Sequence, residues 1–295
     1  NGEFGEGTRE AGIHNAEIGF GLGVSVGDVN RDGWMDMYVS NDFFERDYFY
    51  INDKNGGFTE VLADTLSSIS TTSMGGDIAD LNRDGYPEIF VADMLPRSEE
   101  RVKTVADFVG WEQFQSEVDM GYHRKFPRNT LHLNNGNGTF SEIGRYTGVE
   151  ATGWSWGGLI ADFNLDGARE IFVPNGFYRD VTNKDLLVRM NTREFMRSVV
   201  ENNRINYEKL VEKTPSVPLS NDMFEKQGPL RFANRAAEWG LGEPGFSSGS
   251  AYGDLDRDGD LDLVVNNVNA RPSLYRNRTA ERHPERSWVR LALEG

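Results

Sequence analysis

Acidic residues recur along this chain in clusters whose spacing suits a hard metal cation. A nine-residue pattern of the form Asp-x-(Asp/Asn)-x-Asp-Gly-x-x-(Asp/Glu) occurs four times, beginning at Asp28, Asp80, Asp162 and Asp254. Calcium prefers about six to eight oxygen ligands, from carboxylates, amides, backbone carbonyls and water. Such a loop can supply them if the side chains at positions 1, 3, 5 and 9 turn inward and position 7 offers its carbonyl. The spacing therefore predicts up to four Ca²⁺ ions.

The predicted ligands are the same five positions of each loop. They are Asp28, Asn30, Asp32, Trp34 and Asp36; Asp80, Asn82, Asp84, Tyr86 and Glu88; Asp162, Asn164, Asp166, Ala168 and Glu170; and Asp254, Asp256, Asp258, Asp260 and Asp262. Position 7 varies in type, as expected if only its backbone oxygen binds. Position 6 is always glycine, which permits a sharp turn. An EF-hand needs Glu at position 12 and a following helix, whereas position 12 is valine in all four loops.

The charge of the chain supports a bound cation. The side-chain ligands carry thirteen negative charges in a chain of formal net charge −16, and clustered carboxylates repel one another strongly. Isolated Asp/Asn/Gly clusters can be simple turns, but four copies in register favour a metal. Magnesium suits the loops less well because it prefers a rigid octahedron with retained waters. We expect a structural role for calcium. The negative charge argues against a nucleic-acid partner.

The elements that position these loops repeat as well. Each loop follows a short segment that begins with Gly five residues before the first Asp, and each loop runs into an apolar strand. Residues 48–52, 130–134 and 273–277 indicate a third strand, and Asn-Gly turns at 55–56 and 137–138 lead into a fourth. Each unit is thus four short antiparallel strands. The sequence predicts an all-β fold, a β-propeller with four loop-bearing blades.

Two segments interrupt the repeat. The first Asp residues of the loops are separated by 52, 82 and 92 positions, and the excess lies in residues 97–126 and 179–221, whose patterns indicate helices. These helical inserts either have no binding role or form a surface that binds a partner. Residues 4–8 are predicted to form a fourth strand. Its position at the start of the sequence indicates that the chain is an arc of a larger propeller. Alternatively, this strand completes the fourth blade.

Composition narrows the remaining possibilities. The 295 residues contain no cysteine, which excludes disulfides and thiolate metal sites. No stretch approaches the roughly 18 apolar residues of a membrane span. A signal peptide is not visible, but the sequence does not open with Met. The histidines at 14, 123, 132 and 283 are scattered and no nucleophile motif is present, so no catalytic residue is predicted and the chain is not expected to be an enzyme.

The motifs resemble those of a known family. The loops, with Gly19-Phe20-Gly21 and Gly245-Phe246, resemble the FG-GAP/VCBS repeats of integrin α subunits. Asp93-Met94-Leu95-Pro96, residues 175–183 and the tail from Ser287 are similar to the bacterial branch related to cartilage acidic protein, which ends in an ASPIC/UnbV segment. The resemblance implies a seven-bladed propeller, export and no established enzymatic activity. It divides the chain into blades over residues 1–280 and the start of an ASPIC/UnbV-like segment over residues 284–295.

Two functional hypotheses follow. The first is a calcium-binding extracellular, cell-surface or periplasmic repeat protein that acts as a binding or adhesion module for an unidentified protein or glycan. The alternative is a calcium-dependent, lyase-like carbohydrate-active enzyme with its site in the propeller channel. The alternative requires a base beside sugar-stacking aromatics such as Trp154 or Trp156, and the sequence assembles none.

Overall fold

Short antiparallel strands joined by tight turns form most of the regular structure. A computed structural model describes residues 2, 4–15, 17–201 and 204–289. The first four strands make one sheet, which we name blade 1: β1 (Gly21–Gly27), β2 (Asp36–Asn41), β3 (Tyr48–Asn52) and β4 (Phe58–Glu60). Aromatic and β-branched residues fill β2 and β3, which suits a pleated, half-buried surface. The single-turn helix α1 (Leu62–Thr65) leads out of the blade.

Blade 2 repeats this order around the first insert. Its sheet contains β6 (Gly76–Ala79), β7 (Glu88–Val91), β9 (Thr130–Asn134) and β10 (Phe140–Glu142). A short parallel pair outside the blade joins β5 (Ile69–Ser70) to β8 (Lys125–Phe126). The insert between β7 and β9 contains the helices α2 (Glu99–Val105) and α3 (Trp111–Asp119), and α4 (Gly144–Thr147) follows the blade.

Blade 3 has the longer insert and blade 4 has three strands. Blade 3 contains β11 (Leu159–Ala161), β12 (Glu170–Val173), β15 (Asp222–Gly228) and β16 (Arg231–Asn234). Its insert contains α5 (Lys184–Met190), α6 (Arg193–Val199), the pair β13 (Val200–Glu201) and β14 (Arg204–Ile205), and α7 (Tyr207–Lys213). Blade 4 contains β17 (Ser247–Gly253), β18 (Asp262–Asn267) and β19 (Ser273–Tyr275), followed by α8 (Thr279–Arg282). The prediction of an all-β fold with four-stranded antiparallel blades and helical inserts is confirmed, and the seven-bladed ring stays a prediction.

The hydrophobic core lies between consecutive blades. Alternate residues of each second strand face opposite neighbours, because side chains on a strand alternate between its two faces. In blade 2, Ile89 and Val91 pack toward Tyr38 of blade 1, whereas Phe90 packs toward Ile171 of blade 3. All five are fully buried, and burying such a side chain stabilises the fold by about 1.5–3 kcal/mol. The blades are thus held together mainly by apolar contact.

Ion pairs tie the two inserts to each other and to blade 3. Arg101 of α2 forms a bidentate pair with Asp180, which begins the second insert and is buried. Arg97 donates to the buried carboxylate of Asp222 at the start of β15, 2.8 Å away. Both inserts connect a second strand to a third strand. They therefore lie at the end of the blades opposite the acidic loops, which connect first strands to second strands.

The predicted strand at residues 4–8 is not formed in the described structure, so that prediction is corrected. These residues instead lead into a turn in which the Ile13 N–H donates to the Thr8 carbonyl at 3.0 Å. A short extended segment requires a partner strand, and none lies beside this one within the described residues. Phe4 is fully exposed. Of the predicted ASPIC/UnbV-like segment, residues 290–295 lie outside the described residues.

None of the helices within the described ranges is long and apolar enough to cross a membrane.

Candidate metal centres

Each acidic loop is folded by its own side chains. In loop 1 the carboxylate of Asp28, at position 1, accepts the N–H groups of Asp32 at 3.0 Å and Gly33 at 2.9 Å. The position 5 carboxylate of Asp32 accepts the N–H of Trp34 at 2.9 Å. The N–H of position 6 donates to position 1 in the same way in loops 2 and 3. These bonds turn the side chains at positions 1 and 5 toward the centre of the loop.

The backbone of the loops is also shared. Position 6 is a left-handed glycine in every loop, with φ between 81° and 98°. Position 4 is left-handed too, although it carries a side chain: Arg31, Arg83, Leu165 and Arg257 have φ between 56° and 67°. This conformation is uncommon for such residues and persists only where the surroundings enforce it. The internal hydrogen bonds of the loop provide that enforcement.

The position 9 acids lie at the starts of the second strands and are buried. Asp36, Glu88, Glu170 and Asp262 are each at most 2% exposed. One oxygen of each accepts the N–H of position 2 of its own loop, at 2.6–3.1 Å. This bond closes the loop against the strand that follows it. It also places a carboxylate beneath the side chains of positions 1 and 5.

Burial raises the pKa values of two of these carboxylates, those of Glu170 and Glu88. Burial raises the pKa of Glu170 to about 8, and the negative charges of Asp166 and Asp162 add to the effect. Burial raises the pKa of Glu88 to about 7, with Asp84 and Asp80 contributing in the same direction. The Oε1 atom of Glu170 is buried and has no hydrogen-bond partner. A buried, unpaired carboxylate oxygen beside two further carboxylates fits the donor set of a calcium ion.

Loop 4 has the most concentrated acidic cluster. Carboxylate oxygens of Asp254, Asp256 and Asp258 lie within 4.8 Å of one another. Buried oxygens of Asp254 and Asp258 have no hydrogen-bond partner. Asp260, at position 7, departs from the expectation that only its backbone matters. Its side chain is fully buried, accepts the Ala280 N–H at 2.9 Å, and has a pKa raised to about 6 by burial and by Asp258.

Basic side chains form ion pairs with acidic residues of two of the loops. The Nε of Arg276 lies 2.6 Å from Asp256, and Lys54 lies 3.2 Å from Asp32. These cations offset part of the negative charge of loops 4 and 1. Among the described residues, neither of these two cations pairs with a position 9 acid.

Arginines also join one loop to the next, which sequence reasoning missed. The Arg31 guanidinium lies over the Tyr86 ring at 5.0 Å, and Arg83 donates to the Asp166 carbonyl at 3.2 Å. Both arginines occupy position 4, so their recurrence at one loop position was the available signal. Arg169 donates to the Asp80 carbonyl in the opposite direction. The structure thus gathers the predicted residues into four loops, and their role as metal ligands stays a prediction.

Comparison with known proteins agrees with the repeat. A family model described as an FG-GAP-like repeat matches residues 28–91 and 118–173, which include the first three loops. These two segments are therefore similar to FG-GAP-like repeats. Human integrin alpha-6 is 35% identical over 83 residues, and human integrin alpha-7 is 38% identical over 85 residues. These matches cover 24% and 25% of this chain but only 7% of each integrin, so the chain spans less than a tenth of the length of these relatives.

Proposed function

We propose that this chain is a calcium-stabilised binding module of an extracellular protein, and that it is not an enzyme. Buried position 9 carboxylates beneath two or three further acids carry the proposal. Such a group is costly when it is ionised and uncompensated in the protein interior. A calcium ion supplies the compensating charge when it is bound.

The residues of the chain then determine what the ion stabilises. Positions 1, 3, 5 and 9 of each loop, with the carbonyl of position 7, would hold it. Position 9 belongs to the second strand and position 1 follows the first strand, so calcium binding would fix the connection between the first and second strands of a blade. Because the blades pack face to face, fixing these junctions makes the whole row of blades rigid. The inserts at the opposite ends of blades 2 and 3 are thereby held in place.

Similarity to integrin α subunits supports the extracellular assignment, since FG-GAP-like repeats are typical of extracellular proteins. The ligand is proposed to be a protein or a glycan. Exposed aromatic residues at the insert end of the blades suit such contact, among them Phe44, Trp111 and Tyr207, each more than 70% exposed. Large exposed apolar groups on loops mark interaction surfaces.

The enzyme alternative lacks a supporting observation. The aromatic rings that it would need for stacking on a sugar pack on one another instead. Trp154 and Phe177 stack at 4.2 Å between centroids, and Trp156 lies 5.9 Å from Phe177. No carbohydrate lyase activity is therefore proposed.

Calcium-dependent thermal unfolding tests the proposal. The melting temperature should rise with calcium between about 0.1 and 10 mM, the range of weak extracellular modules, and should respond much less to equal magnesium. An identical melting temperature in calcium and in chelator would contradict the metal role. For ligand binding, the double substitution Trp111→Ser and Tyr207→Ser should reduce retention on immobilised matrix proteins or glycans without changing calcium-dependent stability. Equal retention would show that the inserts are not the binding surface.

A further inference from the structure

One backbone carbonyl of loops 1 to 3 accepts a hydrogen bond from the blade that follows. The carbonyl belongs to position 2 of the loop, and the donor is a side chain near the end of the next third strand. In blade 2, the Nδ2 of Asn134 donates to the Val29 carbonyl of loop 1 at 2.9 Å. In blade 4, the Nδ2 of Asn277 donates to the Phe163 carbonyl of loop 3 at 2.6 Å. Each of these loops is thus held in part by its neighbouring blade.

The same two asparagines also hold the loop of their own blade. Asn134 donates to the Pro87 carbonyl, at position 8 of loop 2, at 3.2 Å. Asn277 donates to the Leu261 carbonyl, at position 8 of loop 4, at 3.1 Å. A side-chain amide has two N–H donors and no net charge. One neutral side chain therefore bridges two consecutive loops.

Blade 3 has a lysine at the equivalent position. Lys226 pairs with Phe232 of the fourth strand. Asn134 pairs with Phe140 in the same register, which makes the two positions equivalent. The Nζ of Lys226 donates to the Leu81 carbonyl, at position 2 of loop 2, at 2.8 Å. The hydrogen bond to the preceding loop is thus kept, but its donor is a cation.

The Lys226 ammonium lies within electrostatic range of two predicted calcium ligands. The side chain is half-buried. Burial lowers the pKa of Lys226 and Arg83 acts in the same direction, whereas the carboxylates of Glu88 and Asp80 oppose the shift. These two acids are positions 9 and 1 of loop 2. Their charges, and the bond to a carbonyl, favour the protonated form of the lysine.

Two arginines bring further positive charge to the contact between blades 2 and 3. Arg83 of loop 2 donates to the Asp166 carbonyl of loop 3 at 3.2 Å. Arg169 of loop 3 donates to the Asp80 carbonyl of loop 2. Together with Lys226, three cationic side chains therefore bond carbonyl oxygens of these two loops. Loops 1 and 2, in contrast, are bridged by the neutral amide of Asn134.

We propose that Lys226 lowers the calcium affinity of loop 2, an inference that rests on the calcium-binding role proposed above. The ammonium would repel an ion in loop 2, whereas the amide of an asparagine at this position would not. A unit positive charge beside a divalent ion at a protein surface reduces its affinity by about tenfold. Without calcium, the same ammonium offsets part of the charge of Asp80 and Glu88. Lys226 is thus a counter-ion that competes with calcium.

The position of loop 2 gives this competition a structural consequence. Blades 2 and 3 carry the two inserts, which are joined by the pair between Arg101 and Asp180. The contact between these blades therefore determines how the inserts are placed relative to each other. At low calcium the Lys226 ammonium compensates the acids of loop 2, and at higher calcium the ion does so.

The position 6 glycines provide a separate reporter for each loop. The N–H groups of Gly33, Gly85 and Gly167 donate to the position 1 carboxylates of loops 1, 2 and 3. The chemical shift of each amide should change when that carboxylate binds a cation. Nuclear magnetic resonance of the full chain, labelled with nitrogen-15 in glycine only, therefore gives a calcium midpoint for each loop.

Lys226→Asn installs the amide that the other blades use. The midpoint of Gly85 should fall by about tenfold in calcium concentration because the competing charge is gone. The midpoint of Gly33 should stay the same, since loop 1 is bonded by Asn134 and not by Lys226. Lys226→Arg retains the charge and should leave the Gly85 midpoint at the wild-type value. An unchanged Gly85 midpoint in Lys226→Asn, or an equal fall in Lys226→Arg, would overturn the proposal.

The reciprocal variant Asn134→Lys tests the same inference in another blade, so it does not depend on the folding of a Lys226 variant. It places an ammonium against the Val29 carbonyl and should raise the Gly33 midpoint by about tenfold, with the Gly167 midpoint unchanged. A Gly33 midpoint that stays the same or falls would overturn the proposal. If no glycine signal of the wild-type chain responds to about 10 mM calcium, the proposed function fails as well. If the signals respond and the substitutions leave the midpoints unchanged, only the role of Lys226 is refuted.

Discussion

Replacement of Asp84 by alanine separates the metal role of a loop from its role as a turn. Asp84 is exposed at position 5 of loop 2, where it accepts the Tyr86 N–H at 2.8 Å and the Asn82 side-chain amide at 2.9 Å. Loss of these bonds at an exposed site should cost about 1 kcal/mol whether calcium is present or not. In calcium, the variant also loses the stabilisation provided by the bound ion.

The size of this stabilisation by the ion follows from mass action. An ion bound at a free concentration of a hundred times its dissociation constant stabilises the folded state by about 2.7 kcal/mol. With a dissociation constant of about 10⁻⁴ M, this corresponds to about 10 mM calcium. Asp84→Ala should therefore cost about 4 kcal/mol in 10 mM calcium and about 1 kcal/mol in chelator. At roughly 2–4 °C per kcal/mol for a domain of this class, the melting temperature falls at least 5 °C further in calcium than in chelator.

Differential scanning calorimetry in calcium and in chelator measures both losses on the same preparation. Asp53→Ala is the matched control, because Asp53 accepts the Thr59 hydroxyl in a hairpin turn of blade 1 outside any loop. Its cost should be the same in both buffers. If Asp84→Ala lowers the melting temperature equally in calcium and in chelator, the loop acts as a turn and the reasoning is refuted.

Three further outcomes follow from the structure. In chelator, the free energy of unfolding should fall as pH rises from about 5 to 9. The reason is that Glu88 and Glu170 have pKa values of about 7 and about 8 in the folded state, well above their ordinary range, so that their ionisation opposes folding. A flat profile in chelator, or the same slope in calcium, would contradict this. Arg128→Ala removes the ion-pair partner of Glu142, whose side chain is 7% exposed, and should lower the free energy of unfolding measured in urea by about 3 kcal/mol. The control Arg145→Ala, at an exposed position, should cost less than about 0.5 kcal/mol. Equal costs would show that the Arg128–Glu142 ion pair does not stabilise the fold. Arg101→Ala removes the ion pair with Asp180 that joins the two inserts, so amide hydrogen exchange should become faster in both α2 and α5. Faster exchange in α2 alone would mean that the two inserts do not stabilise each other.

The parts of the fold that depend on local sequence could be predicted. The acidic loops, the strands that flank them and the Asn-Gly hairpins are each encoded within about a dozen residues, so their recurrence was visible. The same signals were weak in blade 3. There Lys226 replaces the Asn found near the end of the other third strands, and Pro229-Leu230 replaces the Asn-Gly turn. Four strands were predicted for every unit, but the residues that form β15 and β16 were not located from the sequence.

Features that depend on neighbours distant in sequence could not be predicted. Arg83 reaches a carbonyl 83 residues away, and no local pattern specifies that contact. The buried side chain of Asp260 depends on α8, which follows it by about twenty residues. Residues 4–8 carry the pattern of a strand, but no strand lies beside them in the described part of the structure, and a pattern alone does not supply a partner. The position 9 acids were predicted as ligands, but their complete burial was visible only in the structure.

Calcium anomalous scattering from crystals grown in millimolar calcium tests the central claim most directly. We expect one anomalous peak within each of the four loops, beside Asp36, Glu88, Glu170 and Asp262. Loops without peaks, with the position 9 carboxylates in the same buried positions, would contradict the account.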